Sequence, residues 1–277
     1  MADQPSESEL LRTQSADGVV RLTLNRPRAG NALSPTLRQA LIDCLAEAGR
    51  DPLVRVVVLT ATGDRHFCTG ADLGSSAPVA DDQPEDQPQQ PAGSVARAIA
   101  DGAQRLISAV LDCDKPVIAA VNGTAAGIGC HLAYACDLVL AAESAKFIEV
   151  FARRGLVVDG AGAYLLTRRI GTHRAKELIF FGDDLPAADA ERIGLVNRVV
   201  PGEKLAETAA EWAARLAAGP TVALGLGKRL VNRALDVDRA TALAEEAMAA
   251  EINMTSADGQ EGLRAFLERR PPRFRGW

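Results

Sequence analysis

Two turns rich in glycine and alanine constrain the fold of this chain more than any other feature. The first is HFCTGADL at residues 66–73, and the second is NGTAAGIGCHL at residues 122–132. Each follows an apolar, β-branched run that predicts a strand, and each leads into a helical pattern. Small residues let the backbone approach a ligand closely, so main-chain N–H groups can point into a cavity. Two such groups aimed at one point form an oxyanion hole, which stabilises negative charge on a carbonyl oxygen.

The composition excludes several classes of function. A formal net charge of -5 over 277 residues argues against a general nucleic-acid surface. The five cysteines contain no C-x-x-C pair, which favours a reduced cytoplasm, and the three histidines lack metal-ligand spacing. The first residues have neither the basic nor the apolar region of a signal peptide, and no apolar run could span a membrane. We therefore expect a cytoplasmic protein without a metal site, a nucleic-acid partner or a membrane partner.

The hydrophobic pattern predicts strand–strand–helix units followed by an all-helical tail. Ser34 is the predicted N-cap of the first helix, with Pro35 at its first position. The predicted strands are 18–24, 54–60, 117–121, 138–141 and 195–200, and the predicted helices are 36–48, 95–113, one from 127 or 128 onward, 168–181 and 189–194. The continuous apolar run at 54–60 predicts a strand covered on both faces. These units indicate an α/β core over residues 1–200 and a helical region over residues 201–277.

A biased segment interrupts the core between residues 75 and 94. It is rich in proline, glutamine and acidic residues and has almost no large apolar side chain. Such a segment cannot bury itself, which predicts a flexible surface loop. Because it begins just after the first turn, it could also serve as a mobile lid, and the two interpretations are compatible.

An ordered set of motifs resembles the crotonase family, the enoyl-CoA hydratase/isomerase superfamily. The motifs are LNRP at 24–27, NAL at 31–33, FCTGADL at 67–73, KPVIAAVNG at 115–123, AGIG at 126–129, LA at 132–133, CD at 136–137, GLVVDG at 155–160 and AERIGLV at 190–196. The resemblance implies a crotonase-type spiral of ββα repeats with a C-terminal helical trimerisation region. It also implies an acyl-CoA substrate, with coenzyme A as part of the substrate rather than a separate cofactor, and a homotrimer or a dimer of trimers.

The same resemblance implies where the ligand binds. It assigns the oxyanion hole to the backbone N–H groups of Ala71 and Ile128, and the second of these lies at a helix N-terminus, where the helix dipole favours an anion. The implied substrate contacts are Arg26, Arg28, Asp72, Leu73, Gly127 and Phe151.

The acid–base residues depart from the pattern of the family's hydratases, which hold a water between two glutamates. The matching positions carry His131 and Phe151, and phenylalanine cannot transfer a proton. Asp159 stands where several isomerases of the family carry their acid, and an isomerase needs only one base. The alternative for Asp159 is a cap for the next helix. The alternative for His131 is a packing residue, and a small register slip would bring Glu149 into the pocket instead.

Three hypotheses follow from this departure. The leading one is double-bond isomerisation of an enoyl-CoA, with Asp159 as proton shuttle and His131 assisting it or shaping the pocket. The second is hydration or carbon–carbon cleavage of an atypical acyl-CoA through His131. The third is an acyl-CoA-binding paralogue without catalytic activity.

Overall fold

The computed structural model describes residues 8–75 and 92–277. Strands in these residues form one sheet in the order β1-β2-β3-β5-β7-β10 and another in the order β4-β6-β8-β9. The strands are β1 (Leu10–Gln14), β2 (Val19–Leu24), β3 (Val56–Ala61), β4 (His66–Cys68), β5 (Val117–Val121), β6 (Thr124–Ala126), β7 (Leu138–Ala142), β8 (Lys146–Ile148), β9 (Leu185–Pro186) and β10 (Arg198–Val200).

Helices alternate with strands in the first part of the chain and make up most of the C-terminal part. They are α1 (Pro35–Arg50), α2 (Ser94–Ile99), α3 (Arg105–Leu111), α4 (Ile128–Ala135), α5 (Gly162–Phe181), α6 (Ala187–Arg192), α7 (Leu205–Ala217), α8 (Thr221–Arg233), α9 (Arg239–Thr255) and α10 (Ala257–Leu267). A π-helical turn, Ala100–Gln104, joins α2 to α3. Single 3-10 turns at Pro27–Ala29, Leu73–Ser75, Ala152–Arg154 and Gly202–Lys204 complete the connections.

The repeating unit is two strands and a helix. In each repeat the first strand (β3, β5 or β7) joins the larger sheet, and the second (β4, β6 or β8) joins the smaller one. Within each sheet, the strands of successive repeats pair in parallel: β3 with β5, β5 with β7, β4 with β6, and β6 with β8. For example, Ile118 of β5 is in register with Leu138 of β7. Only β1 with β2, and β8 with β9, pair antiparallel among the described strands. The topology confirms the predicted α/β fold, a spiral of ββα repeats.

The larger sheet is covered on both faces. One face packs into the main core, which contains Val57 and Leu59 together with residues of the smaller sheet and of helices α1, α3 and α4. The other face contributes Val56 and Val58 to a second cluster, which α7 completes with Leu205 and other residues. The two-sided burial predicted from the apolar run at 54–60 is thus confirmed.

Local capping agrees with the sequence at the first helix. The Ser34 hydroxyl accepts a hydrogen bond from the Leu37 N–H at 3.0 Å, with Pro35 as the first helical residue. The predicted helix start at 168 is wrong, because α5 begins at Gly162. It begins with Gly162, a residue of low helix propensity, and a kink at Gly171 (φ 78°) interrupts its periodicity.

Two predictions concern segment boundaries. Most of the predicted flexible loop, residues 76–91, lies outside the described residues, and Ser94 at its end already begins α2. The division at residue 201 stays a prediction, although α7 beyond it packs on the sheet. No helix within residues 8–75 and 92–277 is long and apolar enough to cross a membrane.

Candidate active site

A cavity lies where the two small-residue turns meet. The first turn contributes Thr69, Gly70, Ala71 and Leu73 to its wall, and the second contributes Gly127 and Ile128. Other parts of its wall are Leu33, Arg38, Ala103, Val150, Phe151, Arg154, Leu156 and Asp159. The structure therefore brings six of the predicted site residues to one cavity: Ala71, Leu73, Gly127, Ile128, Phe151 and Asp159.

Backbone pairing fixes the direction of the Ala71 amide. The Leu33 N–H donates to the Gly70 carbonyl at 2.8 Å, and the Asp72 N–H donates to the Leu33 carbonyl at 3.1 Å. These bonds form a parallel bridge between Leu33 and Ala71. Since the bridge uses the groups on either side of Ala71, the N–H of Ala71 itself faces away from Leu33. It can serve as a donor toward the cavity that Ala71 lines.

The second candidate donor lies at the start of α4. Ile128 is the first residue of this helix, so its N–H has no acceptor within the helix and stands at the positive end of the helix dipole. The preceding Gly127 has φ 53° and ψ −125°, and its N–H donates to the Ile148 carbonyl at 2.9 Å. This bond holds the turn against β8 while Ile128 lines the cavity.

The two turns touch through their backbones. A Cβ placed on Gly129 would lie 2.1 Å from the carbonyl oxygen of Cys68, which is closer than any tolerated contact. A Cβ on Gly70, where φ is 108°, would lie 3.2 Å from the Ala126 carbonyl oxygen. Glycine at these two positions therefore permits the approach that places both candidate amides at one cavity.

Asn31 anchors the turn that precedes α1. Its side-chain amide donates to the carbonyls of Thr62 at 3.1 Å and His66 at 2.8 Å, and its oxygen accepts from the Arg26 N–H at 2.9 Å. Asn31 is almost fully buried and has φ 54°. It thus ties the NAL motif to the strand end that leads into the first turn.

The two arginines predicted to contact coenzyme A differ in their surroundings. Arg26 forms ion pairs of 2.8 Å with Glu9 and with Asp72, and it donates to the Ala32 carbonyl at 2.6 Å. Its guanidinium therefore holds the first turn in place, together with the predicted contact residue Asp72. Arg28 is exposed in the neighbouring 3-10 turn. Contact of either arginine with a ligand stays a prediction.

Asp159 lies in the cavity wall and is half-buried. Burial raises the pKa of its carboxyl above the usual value, and the nearby His131 opposes this by a smaller amount. The N-cap residue of α5 is Ala161, so the Asp159 carboxylate does not cap that helix; only its backbone carbonyl accepts from the Gly162 N–H, at 3.0 Å. The side chain is thus left for the cavity, as a base with raised proton affinity.

The raised pKa of Asp159 leads to a prediction about stability. For a carboxyl whose pKa is higher in the folded state, stability is lost as the pH rises from the unfolded pKa of about 3.9 through the folded pKa. Asp159→Asn removes this loss, so the variant is expected to unfold with a larger free energy than the wild type at about pH 7. Urea unfolding across this range should show the difference growing with pH. With Asp17→Asn, at an exposed position, no such trend is expected; a constant offset for Asp159→Asn would contradict the prediction.

His131 lies behind the cavity wall. Its imidazole is fully buried, and its Nε2 is 3.0 Å from Oε2 of Glu149, itself 2% exposed. The Phe151 ring, which lines the cavity, stacks on the imidazole with centroids 5.5 Å apart and planes 5° apart. Neither His131 nor Glu149 contributes to the cavity wall. Glu149 therefore lies beside His131 and does not replace Phe151 in the pocket.

Comparison with known proteins decides the family. The sequence profile of enoyl-CoA hydratase/isomerase matches residues 14–276. The chain belongs to this family. It is 38% identical over 268 residues to 1,2-epoxyphenylacetyl-CoA isomerase of Escherichia coli K12. The aligned region covers 97% of this chain and 99% of that relative. It is 33% identical to 2,3-dehydroadipyl-CoA hydratase of the same organism, over 93% of this chain and 95% of the relative.

A solved structure of the family has the same fold over the whole chain. The crystal structure of enoyl-CoA hydratase from Bacillus anthracis superimposes with a TM-score of 0.87 at 34% identity, covering 98% of this chain and all of that one. The named relatives thus include both an isomerase and hydratases. Family membership confirms an acyl-CoA enzyme of the hydratase/isomerase type, whereas the choice of reaction depends on this chain's own residues.

Two cavity residues of this family member carry no sequence signal. Arg38 extends from α1 to the cavity, and its guanidinium lies about 3 Å from where a Cβ on Gly102 would be. Arg154, in the 3-10 turn after Phe151, is exposed and also lines the cavity. Both give the cavity positive charge. Neither belongs to a motif, and their positions depend on packing between segments far apart in sequence.

Four of the five cysteines are buried thiols that suit packing better than nucleophilic chemistry. Burial raises the pKa of Cys68 to about 12 and also raises the pKa of Cys113, Cys130 and Cys136. Cys44 is less buried. No group of three or more potential metal ligands occurs in residues 8–75 and 92–277.

This burial predicts a simple labelling result. A thiol reagent added to the native protein is expected to modify Cys44 first and to leave the four buried thiols unreacted on the same timescale. After unfolding, all five cysteines should react. Mass spectrometry of labelled peptides measures the order, and rapid native labelling of Cys68 or Cys130 would be inconsistent with their burial.

Proposed function

We propose that this protein isomerises the double bond of an enoyl-CoA. The observation that carries the proposal is the placement of Asp159 in the wall of the cavity that Ala71 and Ile128 also line. The positions that the family resemblance assigns to the two hydratase glutamates hold His131 and Phe151, and Asp159 is the one carboxylate that the described residues contribute to the cavity wall. A single carboxylate with a raised pKa suits the reversible transfer of one proton. A relative named 1,2-epoxyphenylacetyl-CoA isomerase, 38% identical, supports an isomerisation, although its named substrate is an epoxide.

In the proposed reaction one proton leaves a carbon and returns to another. The Asp159 carboxylate removes an α-proton of a 3-enoyl-CoA, and the electron pair moves onto the thioester oxygen to form a dienolate. The N–H groups of Ala71 and Ile128 donate to that oxygen while it carries negative charge. The carboxyl of Asp159 then returns the proton to the γ-carbon, which gives the 2-enoyl-CoA. Atoms and charge balance without a separate cofactor, and coenzyme A takes part only as the substrate's thioester.

Hydration through His131 is the competing function. It has support in the hydratase relatives, but the His131 imidazole is fully buried and does not line the cavity. The burial of His131 therefore favours Asp159 as the base over His131.

Exposed apolar side chains on the C-terminal helices support self-association. They are Val231, Leu243, Met248, Ile252, Leu263 and Phe266. We extend the proposal to a homotrimer or a dimer of trimers, as the family resemblance implies. Light scattering coupled to size-exclusion chromatography measures the mass, and a monomer at micromolar concentration would contradict this part of the proposal.

One assay separates the three hypotheses. The purified protein is given 3-enoyl-CoA and, in parallel, 2-enoyl-CoA, and both the double-bond shift and the addition of water are followed. Isomerisation that is lost in Asp159→Asn supports the proposal. Hydration that survives Asp159→Asn and is lost in His131→Ala supports the competing function. Tight acyl-CoA binding by calorimetry, without turnover of a broad substrate panel, supports a binding paralogue and contradicts both reactions.

A further inference from the structure

Behind the cavity wall lies a buried pair of polar side chains that the proposed reaction does not use. His131 on α4 is fully buried, and Glu149, just after β8, is 2% exposed. The two side chains contact each other through Nε2 of His131 and Oε2 of Glu149, which are 3.0 Å apart. Among the described residues, Nδ1 of His131 and Oε1 of Glu149 have no hydrogen-bond partner. Burying two such unpartnered atoms costs free energy.

The unpartnered Nδ1 lies beside the turn that carries Asp159. A Cβ placed on Gly160 would be 3.3 Å from this nitrogen, and 3.5 Å from both the Ala103 Cβ and the Ile128 Cδ1. A Cβ on Gly162 would be only 2.2 Å from Nε2 of the same ring. The imidazole edge is thus packed on the backbone that directly follows Asp159. Since Ala103 and Ile128 line the cavity, Nδ1 lies close to the cavity wall.

The protonation state of the pair determines what Nδ1 can do. The pair avoids the cost of an uncompensated buried charge in its net-neutral forms. In one form the Glu149 carboxylate faces an imidazolium; in another the Glu149 acid donates its hydrogen to Nε2. Nδ1 carries a hydrogen in both. The third neutral form puts the acid's hydrogen on Oε1, where it has no acceptor. In the net-neutral pair Nδ1–H is therefore a donor.

We propose that Glu149 and His131 form a buried positioning dyad, in which Glu149 holds the imidazole so that its Nδ1–H faces the turn that carries Asp159. This donor favours the ionised carboxylate, which is the form that accepts the substrate's proton. The dyad thereby opposes the effect of burial on Asp159. The inference rests on the proposed function only in taking Asp159 as the base. It goes beyond that function by giving His131 and Glu149 a role away from the substrate.

The direction of the electrostatic effect agrees with this arrangement. Among the influences on the pKa of Asp159, His131 is the one that lowers it. The other titratable or charged groups around the dyad and the cavity are Cys130 and Tyr134 on α4, Arg169 on α5, whose guanidinium donates to the Tyr134 carbonyl, and Arg38 and Arg154 in the cavity wall. The buried Tyr134 and Cys130 have raised pKa values and stay neutral near pH 7. They therefore do not replace the dyad in its effect on Asp159.

The test measures the titration of Asp159 without any substrate. Carboxyl carbons of aspartate are labelled with carbon-13, and the Asp159 signal is assigned by its absence in Asp159→Asn. In Glu149→Gln, which keeps a side chain of the same shape, the titration midpoint is expected to move upward. The exposed variant Asp17→Asn is expected to leave the midpoint unchanged. An unchanged midpoint in a folded Glu149→Gln protein overturns the proposal.

A second variant guards against misfolding of the first. Replacement of a buried pair by apolar residues is often neutral for stability, so His131→Leu combined with Glu149→Leu should fold even if Glu149→Gln does not. The same upward shift is expected in the double variant. If its midpoint equals that of the wild type, the dyad has no effect on Asp159.

Kinetics distinguish a positioning role from a structural one. The dyad variants are expected to lose about tenfold in kcat/KM at the acid end of the pH profile, through kcat and with KM unchanged, and to approach the wild type at high pH. A uniform loss at every pH would indicate a structural role and overturn the proposal. If the wild type does not isomerise but the Asp159 midpoint still moves, the proposed function fails and the dyad stands. If isomerisation depends on Asp159 but the midpoint does not move, the proposed function stands and the dyad proposal fails.

Discussion

Asp159→Asn is expected to lower kcat for enoyl-CoA isomerisation by about a thousandfold. An amide of the same size cannot accept the α-proton, and general base catalysis contributes on the order of 10² to 10⁴. The KM should change little, because the amides that bind the thioester oxygen lie on other segments of the chain. Steady-state assays with 3-enoyl-CoA, read by absorbance of the conjugated product, measure both constants.

Two control measurements exclude other causes of the lower kcat in Asp159→Asn. Asp17→Asn removes an exposed carboxylate far along the chain from the cavity and serves as the matched control. The Asp159→Asn protein should unfold with at least the wild-type free energy, which excludes loss of structure as the cause. A folded Asp159→Asn protein that retains wild-type kcat would show that another group carries the proton.

Gly129→Ala is expected to have the largest effect of any single methyl group added to the site. The new Cβ would lie 2.1 Å from the backbone carbonyl of Cys68, and neither helix α4 nor the first turn can move without breaking the contact between the two turns. Overpacking typically costs 1–3 kcal/mol, and a clash between two backbones places this variant at about 3 kcal/mol or more. Because Ile128 precedes Gly129, any displacement also moves a candidate oxyanion donor.

Urea unfolding and isomerisation kinetics should change together in Gly129→Ala. The midpoint of unfolding is expected to fall, and kcat/KM of the remaining folded protein is expected to fall as well. Gly202→Ala is the matched control, because a Cβ there meets no atom within 4 Å. A Gly129→Ala protein with normal stability and activity would mean that the turns do not require this close contact.

Much of the framework of the site can be predicted from the sequence because its determinants are local. The Ser34 cap and the strand at 117–121 appear where the sequence indicates them. The small-residue turns bring Ala71 and Ile128 to one cavity, as their motifs predict. Local patterns fail where glycine gives a weak signal, as at Gly162, where α5 begins.

The charged groups of the site could not be predicted in the same way. A sequence shows that Arg26 is charged, but not that Glu9 and Asp72 occupy its guanidinium. Likewise, the contact between His131 and Glu149 joins a helix to the end of a strand 18 residues later, so no spacing rule reveals it. The roles of Asp159 and His131 in catalysis stay predictions, and the positions of their side chains supply the reason to test them.

The function of the two backbone amides is tested most directly by isotope-edited infrared spectroscopy. A saturated acyl-CoA labelled with carbon-13 at the thioester carbonyl is bound to the protein, and the carbonyl stretch is compared with that of the free ligand in water. If the N–H groups of Ala71 and Ile128 both donate to this oxygen, the stretch should shift to lower frequency because the C=O bond is polarised. A carbonyl stretching frequency of the bound ligand that equals or exceeds that of the free ligand in water would show that the two amides do not bind the thioester oxygen.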